Sequence, residues 1–150
     1  MAREIFKETI PPDVGGSHWF HGRGSKVMSS GHQHAELEVN LAMQGSAVYL
    51  VDGVRYDLKS GTLLWLYPAQ DHLLVSRDDD FTMWIAVFRP ALLAQACTDP
   101  ASAQLLAQRP TGQFCKQLPA DQAVHLGQFF QEMLEFTDDT ARYNLALAYA

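Results

Sequence analysis

What most constrains this chain is a succession of short strand-forming segments, punctuated by turn residues at regular intervals, over residues 32–88. Leu37, Val39 and Leu41 alternate with Glu36, Glu38 and Asn40, the period-two signature of a strand. Residues 47–51 follow, and Asp52-Gly53 then separates them from residues 54–58, a strong short-range signal for a hairpin. Lys59-Ser60-Gly61 turns the chain into residues 62–67, which are apolar on both faces. Pro68-Ala69-Gln70-Asp71 breaks that run, residues 72–76 resume it, Arg77-Asp78-Asp79-Asp80 reads as an exposed turn, and residues 81–88 close the series. Upstream, residues 1–31 are rich in turn formers around one aromatic patch, His18-Trp19-Phe20-His21, which predicts a first strand. Strands this short and evenly spaced predict a sandwich or barrel rather than alternating strands and helices.

Beyond Arg89-Pro90 the texture changes to Ala, Leu and Gln, predicting short helices over residues 91–96 and 100–108. Residues 121–136 form the strongest helical pattern, with Val124, Phe129, Phe130, Met133, Leu134 and Phe136 at helical spacing and Asp121 in the first turn. Asp138-Asp139-Thr140 is placed to cap a further helix over 141–150. The expected division is therefore a β unit with an N-terminal arm over 1–90 and a helical segment over 91–150. Phe129, Phe130, Met133 and Leu134 are candidates for a dimer seam, with intrachain core as the alternative.

Only one constellation points to chemistry. His32, His34 and Glu38 have the spacing H-x-H-x₃-E, and on a single strand all three would face one side. His72 can join them from another strand. Three imidazoles and a carboxylate suit a divalent cation with positions left open, such as Zn, Ni, Fe or Mn. The competing reading is simpler. If Ala35, Leu37, Val39, Leu41 and Met43 face the core, the His and Glu side chains form the wet face of an antiparallel strand. Tyr56, Trp65, Tyr67, Trp84 and Phe88 are candidates for lining a small-ligand pocket, with ordinary core as the alternative.

Two stretches resemble a known family. His32-x-His34-x₃-Glu38-x₆-Gly45 resembles the first conserved motif of cupins, apart from its leading glycine, and Gly61-x₆-Pro68-x₃-His72 resembles the second. The second departs by one extra residue before the proline, by Gln70 where glycine is usual and by Ser76 where asparagine is usual. The order of these motifs, with the Asp52-Gly53 hairpin and Ala86-Val87-Phe88-Arg89-Pro90, resembles the N-terminal sensor domains of AraC-type transcription regulators over residues 17–150. The resemblance implies a mainly β protein, an antiparallel cupin (jelly-roll) β-barrel followed by C-terminal α-helices. It implies a small-molecule effector in the barrel, a homodimer formed through the helices, and DNA binding by a separate C-terminal domain with two helix-turn-helix motifs. It also implies a metal on His32, His34, Glu38 and His72. A stand-alone metal-dependent cupin enzyme, a dioxygenase or isomerase, is the alternative, and a metal-free metabolite-binding barrel is a third possibility.

Charge and composition narrow the partners. The 150 residues carry a formal net charge of −6, and no recognition helix rich in Lys and Arg is present, so this domain alone is not expected to bind nucleic acid. No apolar run reaches the roughly 20 residues of a membrane helix. The charged start lacks a signal-peptide core, which predicts a cytoplasmic protein whose Cys97 and Cys115 form no disulfide.

Overall fold

In the computed structural model, residues 4–5, 10–25, 30–112 and 114–150 are described; most of residues 1–8, and Ser29 among the expected turn formers, lie outside them. Ten strands are assigned among the described residues. They are β1 (Glu4–Ile5), β2 (Gly16–His21), β3 (His32–Gln33), β4 (Leu37–Gln44), β5 (Ser46–Val51), β6 (Val54–Lys59), β7 (Thr62–Leu66), β8 (His72–Arg77), β9 (Thr82–Phe88) and β10 (Cys115–Gln117). They form two five-stranded sheets, ordered β1-β3-β8-β5-β6 and β10-β7-β4-β9-β2. Every pairing is antiparallel except β1 with β3. Apart from the β5–β6 hairpin and the step from β9 to β10, successive strands alternate between sheets, and the two sheets enclose the interior of a jelly-roll barrel.

Turn chemistry follows the sequence closely. Val51 pairs with Val54, so Asp52-Gly53 is a two-residue loop, and its φ values of 49° and 79° are the left-handed pair that such a hairpin requires. Gly45, the last residue of the first motif, has φ 72°, and a Cβ there would lie 2.8 Å from the Phe81 Cα. Only glycine fits that turn without moving the backbone at the start of β9.

The helices are α1 (Pro90–Ala96), α2 (Ala120–Met133) and α3 (Thr140–Tyr149), with single 3₁₀ turns at Ser102–Leu106 and Leu134–Phe136. Pro90 opens α1, where its missing N–H costs nothing. The Asp139 side chain caps α3 by accepting from the Arg142 N–H at 3.1 Å. The helix expected over 121–136 tightens into a 3₁₀ turn after Met133, and residues 100–108 hold the 3₁₀ turn rather than an α-helix. The expected boundary at residue 90 is crossed: β10 pairs with β7 through Cys115 and Leu64, so the later segment returns a strand to the barrel.

Packing explains why β7 and β9 are apolar beyond their first residue and why β4 is buried on both faces. Leu37, Leu41, Leu63, Trp84 and Phe88 point outward into a core shared with Phe130, Met133, Tyr143 and Leu147 of the helices. Ala42, Leu64, Leu66, Met83 and Ile85, on the other face, fill the barrel with Tyr49, Leu58 and Phe81. A sheet covered on both faces needs no polar side. This overturns the wet-face reading of β4, because the side bearing Glu38 and Asn40 is the barrel interior: Glu38 is 7% exposed and Asn40 0%.

Candidate functional site

His32, His34, Glu38 and His72 converge at one end of the barrel, each offering a ligand atom within 4.8 Å of the others. His32, His34 and Glu38 do not share the one strand that their spacing had suggested. His32 belongs to β3 and lies directly opposite His72 of β8, both in one sheet. The chain then bends through residues 34–36 and enters β4 in the other sheet, carrying Glu38 across the barrel from the histidine pair. His34 sits on the connection. The imidazole centroids of His32 and His72 are 4.3 Å apart, and those of His34 and His72 5.2 Å.

Backbone carbonyls orient two of the imidazoles. His34 Nδ1–H donates to the Glu36 carbonyl at 2.9 Å, and His72 Nδ1–H donates to the Gln70 carbonyl at 3.2 Å. Both rings therefore turn Nε2 toward the centre of the cluster. Gln70 replaces the glycine usual in the second motif, and its side chain accounts for the substitution. Its Oε1 accepts the Tyr67 N–H at 2.9 Å, and its own N–H donates to the Tyr67 carbonyl at 3.0 Å. That closed turn absorbs the extra residue before Pro68 and still delivers His72 to the site.

Glu38 is the charged centre. Its Oε2 is 2.9 Å from His34 Nε2 and 3.6 Å from His72 Nε2, the latter too long for a hydrogen bond. Its Oε1 accepts from Asn40 Nδ2 at 2.9 Å. Burial opposes the carboxylate charge, but the hydrogen bonding and positive charge of the histidines outweigh it and hold the Glu38 carboxyl well below the usual range. Burial likewise pulls His34 down, and the hydrogen bond and charge of Glu38 more than restore it, leaving its pKa raised. His32 is lowered by burial and by the neighbouring His72. As a donor set, three imidazoles and one carboxylate suit zinc or another borderline divalent cation.

Two residues of the barrel interior were not singled out from the sequence. Asn40 Nδ2 also donates to the Tyr49 hydroxyl at 3.2 Å, which extends the polar layer below Glu38. The alternation of Ala47, Tyr49 and Val51 along β5 was the available signal, since all three face inward. Tyr56 packs against this same interior. Trp65, Tyr67, Trp84 and Phe88 do not: they lie on the outer face of the sheet, against the helices. Phe130 and Met133 are 2% and 0% exposed in that same intrachain core, Phe129 is half-buried, and Leu134 is 39% exposed. Cys97 and Cys115 are both free thiols.

A jelly-roll barrel with a largely buried cluster of three histidines and a glutamate at one end and helices on its outer sheet defines a cupin-type domain. More specifically, the chain belongs to the AraC-like ligand binding domain family, which matches residues 19–142. None of the curated proteins matches the chain. Among solved structures, an apo ToxT variant from Vibrio cholerae is similar with a TM-score of 0.58 at 8% identity, covering 90% of this chain and 54% of ToxT. ToxT bound to a naphthyl-substituted butenoic acid gives 0.54 at 8% identity over 89% of this chain and 54% of that one. These likenesses establish the fold, and this chain spans about half the length of the proteins concerned. The AraC-like transcriptional activator CuxR aligns with a TM-score of 0.49 at 13% identity, over 89% of this chain and 46% of CuxR. Among the described residues no helix is long and apolar enough to cross a membrane.

Proposed function

We propose that this chain is the effector-sensing and dimerisation module of an AraC-type transcription regulator, and that its barrel takes a small molecule beside a divalent cation held by His32, His34, Glu38 and His72. The observation that carries the metal is the state of His72. It is 2% exposed, and its Nε2 has no hydrogen-bond partner, although it is turned toward three other potential ligands. A buried imidazole lone pair left without a partner is costly, and a cation would satisfy it. Zinc or nickel is the expected ion in purified protein, with iron or manganese as alternatives in the cell. Bound there, the cation would supply a Lewis-acid anchor for an oxygen of the effector.

The chain's own residues supply the rest. The Gln70 and Glu36 carbonyls orient two of the imidazoles, and Asn40 holds the carboxylate. Asn40 Oδ1, buried and without a hydrogen-bond partner, is an acceptor available to a ligand in the interior. ToxT, which shares the fold, binds a small organic acid, and this supports the reading that this chain takes a small molecule. Pairing of two chains would use the apolar residues of the helical face left exposed, Val124 at 53% and Leu134 at 39%, since Phe130 and Met133 are committed within the chain.

The test is metal analysis of protein purified without a polyhistidine tag, beside a His32→Ala/His34→Ala variant. The wild type should hold close to one equivalent of metal and the variant should lose it. Occupancy should fall below about pH 6, because imidazoles must be neutral to bind. Equal, sub-stoichiometric metal in both proteins would refute the site.

A further inference from the structure

The outer face of the barrel carries a second cavity that the effector reading does not use. It measures about 490 Å³ and lies between β4, β7 and β9 on one side and α1, the 3₁₀ turn at Ser102–Leu106, α2 and α3 on the other. Trp65, Tyr67 and Phe88 form its floor, Leu93 and Leu105 its near wall, and Leu126 its far wall. None of the four metal-ligand candidates lines it, because they project from the opposite side of the barrel wall. Close-packed interiors leave few voids larger than a water molecule, whereas small-molecule pockets run to several hundred cubic ångströms.

Its chemistry is specific. The described lining holds no Lys, Arg, Asp, Glu or His. Its two strong side-chain donors from aromatic residues are the Tyr67 hydroxyl and the Trp65 Nε1–H. Neither has a hydrogen-bond partner among the described residues, and neither atom is sealed off from solvent. Trp65 and Tyr67 are two apart along the chain and both pack into the outer core, so their donors serve the same side of the sheet. Burial raises the Tyr67 hydroxyl and the Cys97 thiol, which keeps both groups protonated and uncharged. A carboxylate ligand would find no cation here. An apolar ligand with one acceptor oxygen would accept from a donor that no protein group pairs, in the place of water.

We infer that this sheet–helix cavity is a second binding site, independent of the metal cluster, for a neutral and predominantly apolar molecule bearing a carbonyl or ether oxygen. Such a ligand touches α1, α2 and α3 at once, so it bears directly on how the helices sit against the barrel.

The experiment uses the neutral fluorophore N-phenyl-naphthylamine on the full chain. Saturable binding, one probe per chain, is expected with or without zinc, and the anionic anilinonaphthalene sulfonate should bind about tenfold more weakly or less. Leu105→Trp and Ala101→Trp, which fill the cavity from its least buried wall, should each weaken the neutral probe by about tenfold or more while retaining native circular dichroism. In the wild type, nuclear Overhauser contacts should connect the probe to the methyls of Leu93 and Leu105. Absence of saturable binding, contacts instead to Leu74 or Met83 inside the barrel, or preference for the anionic probe would each overturn the inference.

Discussion

His18 ties the barrel to both long helices, and removing its partner should be measurable. His18 projects from β2 and is 6% exposed. Its Nε2 is 2.8 Å from the Phe130 carbonyl of α2, and its Nδ1 is 2.6 Å from the Tyr143 hydroxyl of α3. A carbonyl can only accept, so Nε2 carries the hydrogen and Nδ1 accepts from the tyrosine. Tyr143→Phe keeps the ring and its packing, opens no cavity and deletes that one donor. The loss comprises the net worth of a buried hydrogen bond plus the cost of a buried acceptor left bare, about 1–3 kcal/mol together. For a chain of this size that lowers the melting temperature by roughly 2–4 °C per kcal/mol. Urea unfolding of wild type, Tyr143→Phe, His18→Phe and the double variant should show the double variant cheaper than the summed singles by at least about 0.5 kcal/mol. A Tyr143→Phe protein within about 0.5 kcal/mol of wild type, or additive energies, would show that the joint contributes nothing.

The remaining predictions concern pH, core, association and DNA. Burial lowers the pKa of His18, so the folded protein keeps it neutral while the unfolded chain protonates near pH 6.5; its contribution is whole above that value and is lost as pH falls toward the folded value. His18→Gln removes this linkage, so between pH 6.5 and 5 its stability should decline less steeply than the wild type's, by up to about 1.4 kcal/mol per pH unit. Met133→Ala, at a fully buried position, should cost about 2–5 kcal/mol by denaturant unfolding, and Phe130→Glu should prevent folding rather than yield a folded monomer. Sedimentation at micromolar concentration should show a dimer that Val124→Lys/Leu134→Lys converts to a folded monomer; an unchanged dimer would move the seam elsewhere. A gel shift at low salt should show no saturable complex between this domain and DNA, given its net charge of −6.

Much of this protein is written in local patterns. The Asp52-Gly53 hairpin follows from two residues that tolerate left-handed φ, and the start of α1 from a proline that fixes φ. The left-handed φ at Gly45 and Gly61 and the cap at Asp139 are equally local, whereas the tight approach of Phe81 to Gly45 belongs to the tertiary fold. The identities of His32, His34, Glu38 and His72 as a set were legible as well, through spacing and through likeness to two short motifs. Tertiary structure decided how those residues meet. Spacing placed the first three on one strand, yet the chain changes sheets between His34 and Leu37, and His72 completes the cluster from a strand opposite His32. Alternation in β4 could not say which face was wet, because a helix layer from residues 90–149 covers the face that would otherwise meet water. The same layer moved Trp65, Tyr67 and Trp84 out of the expected barrel pocket and Phe130 and Met133 out of the expected seam. The pairing of Cys115 with Leu64 was hidden for the same reason. A period of two or of 3.6 records which side chains are to be buried, but the partner that buries them is fixed only when distant segments pack together.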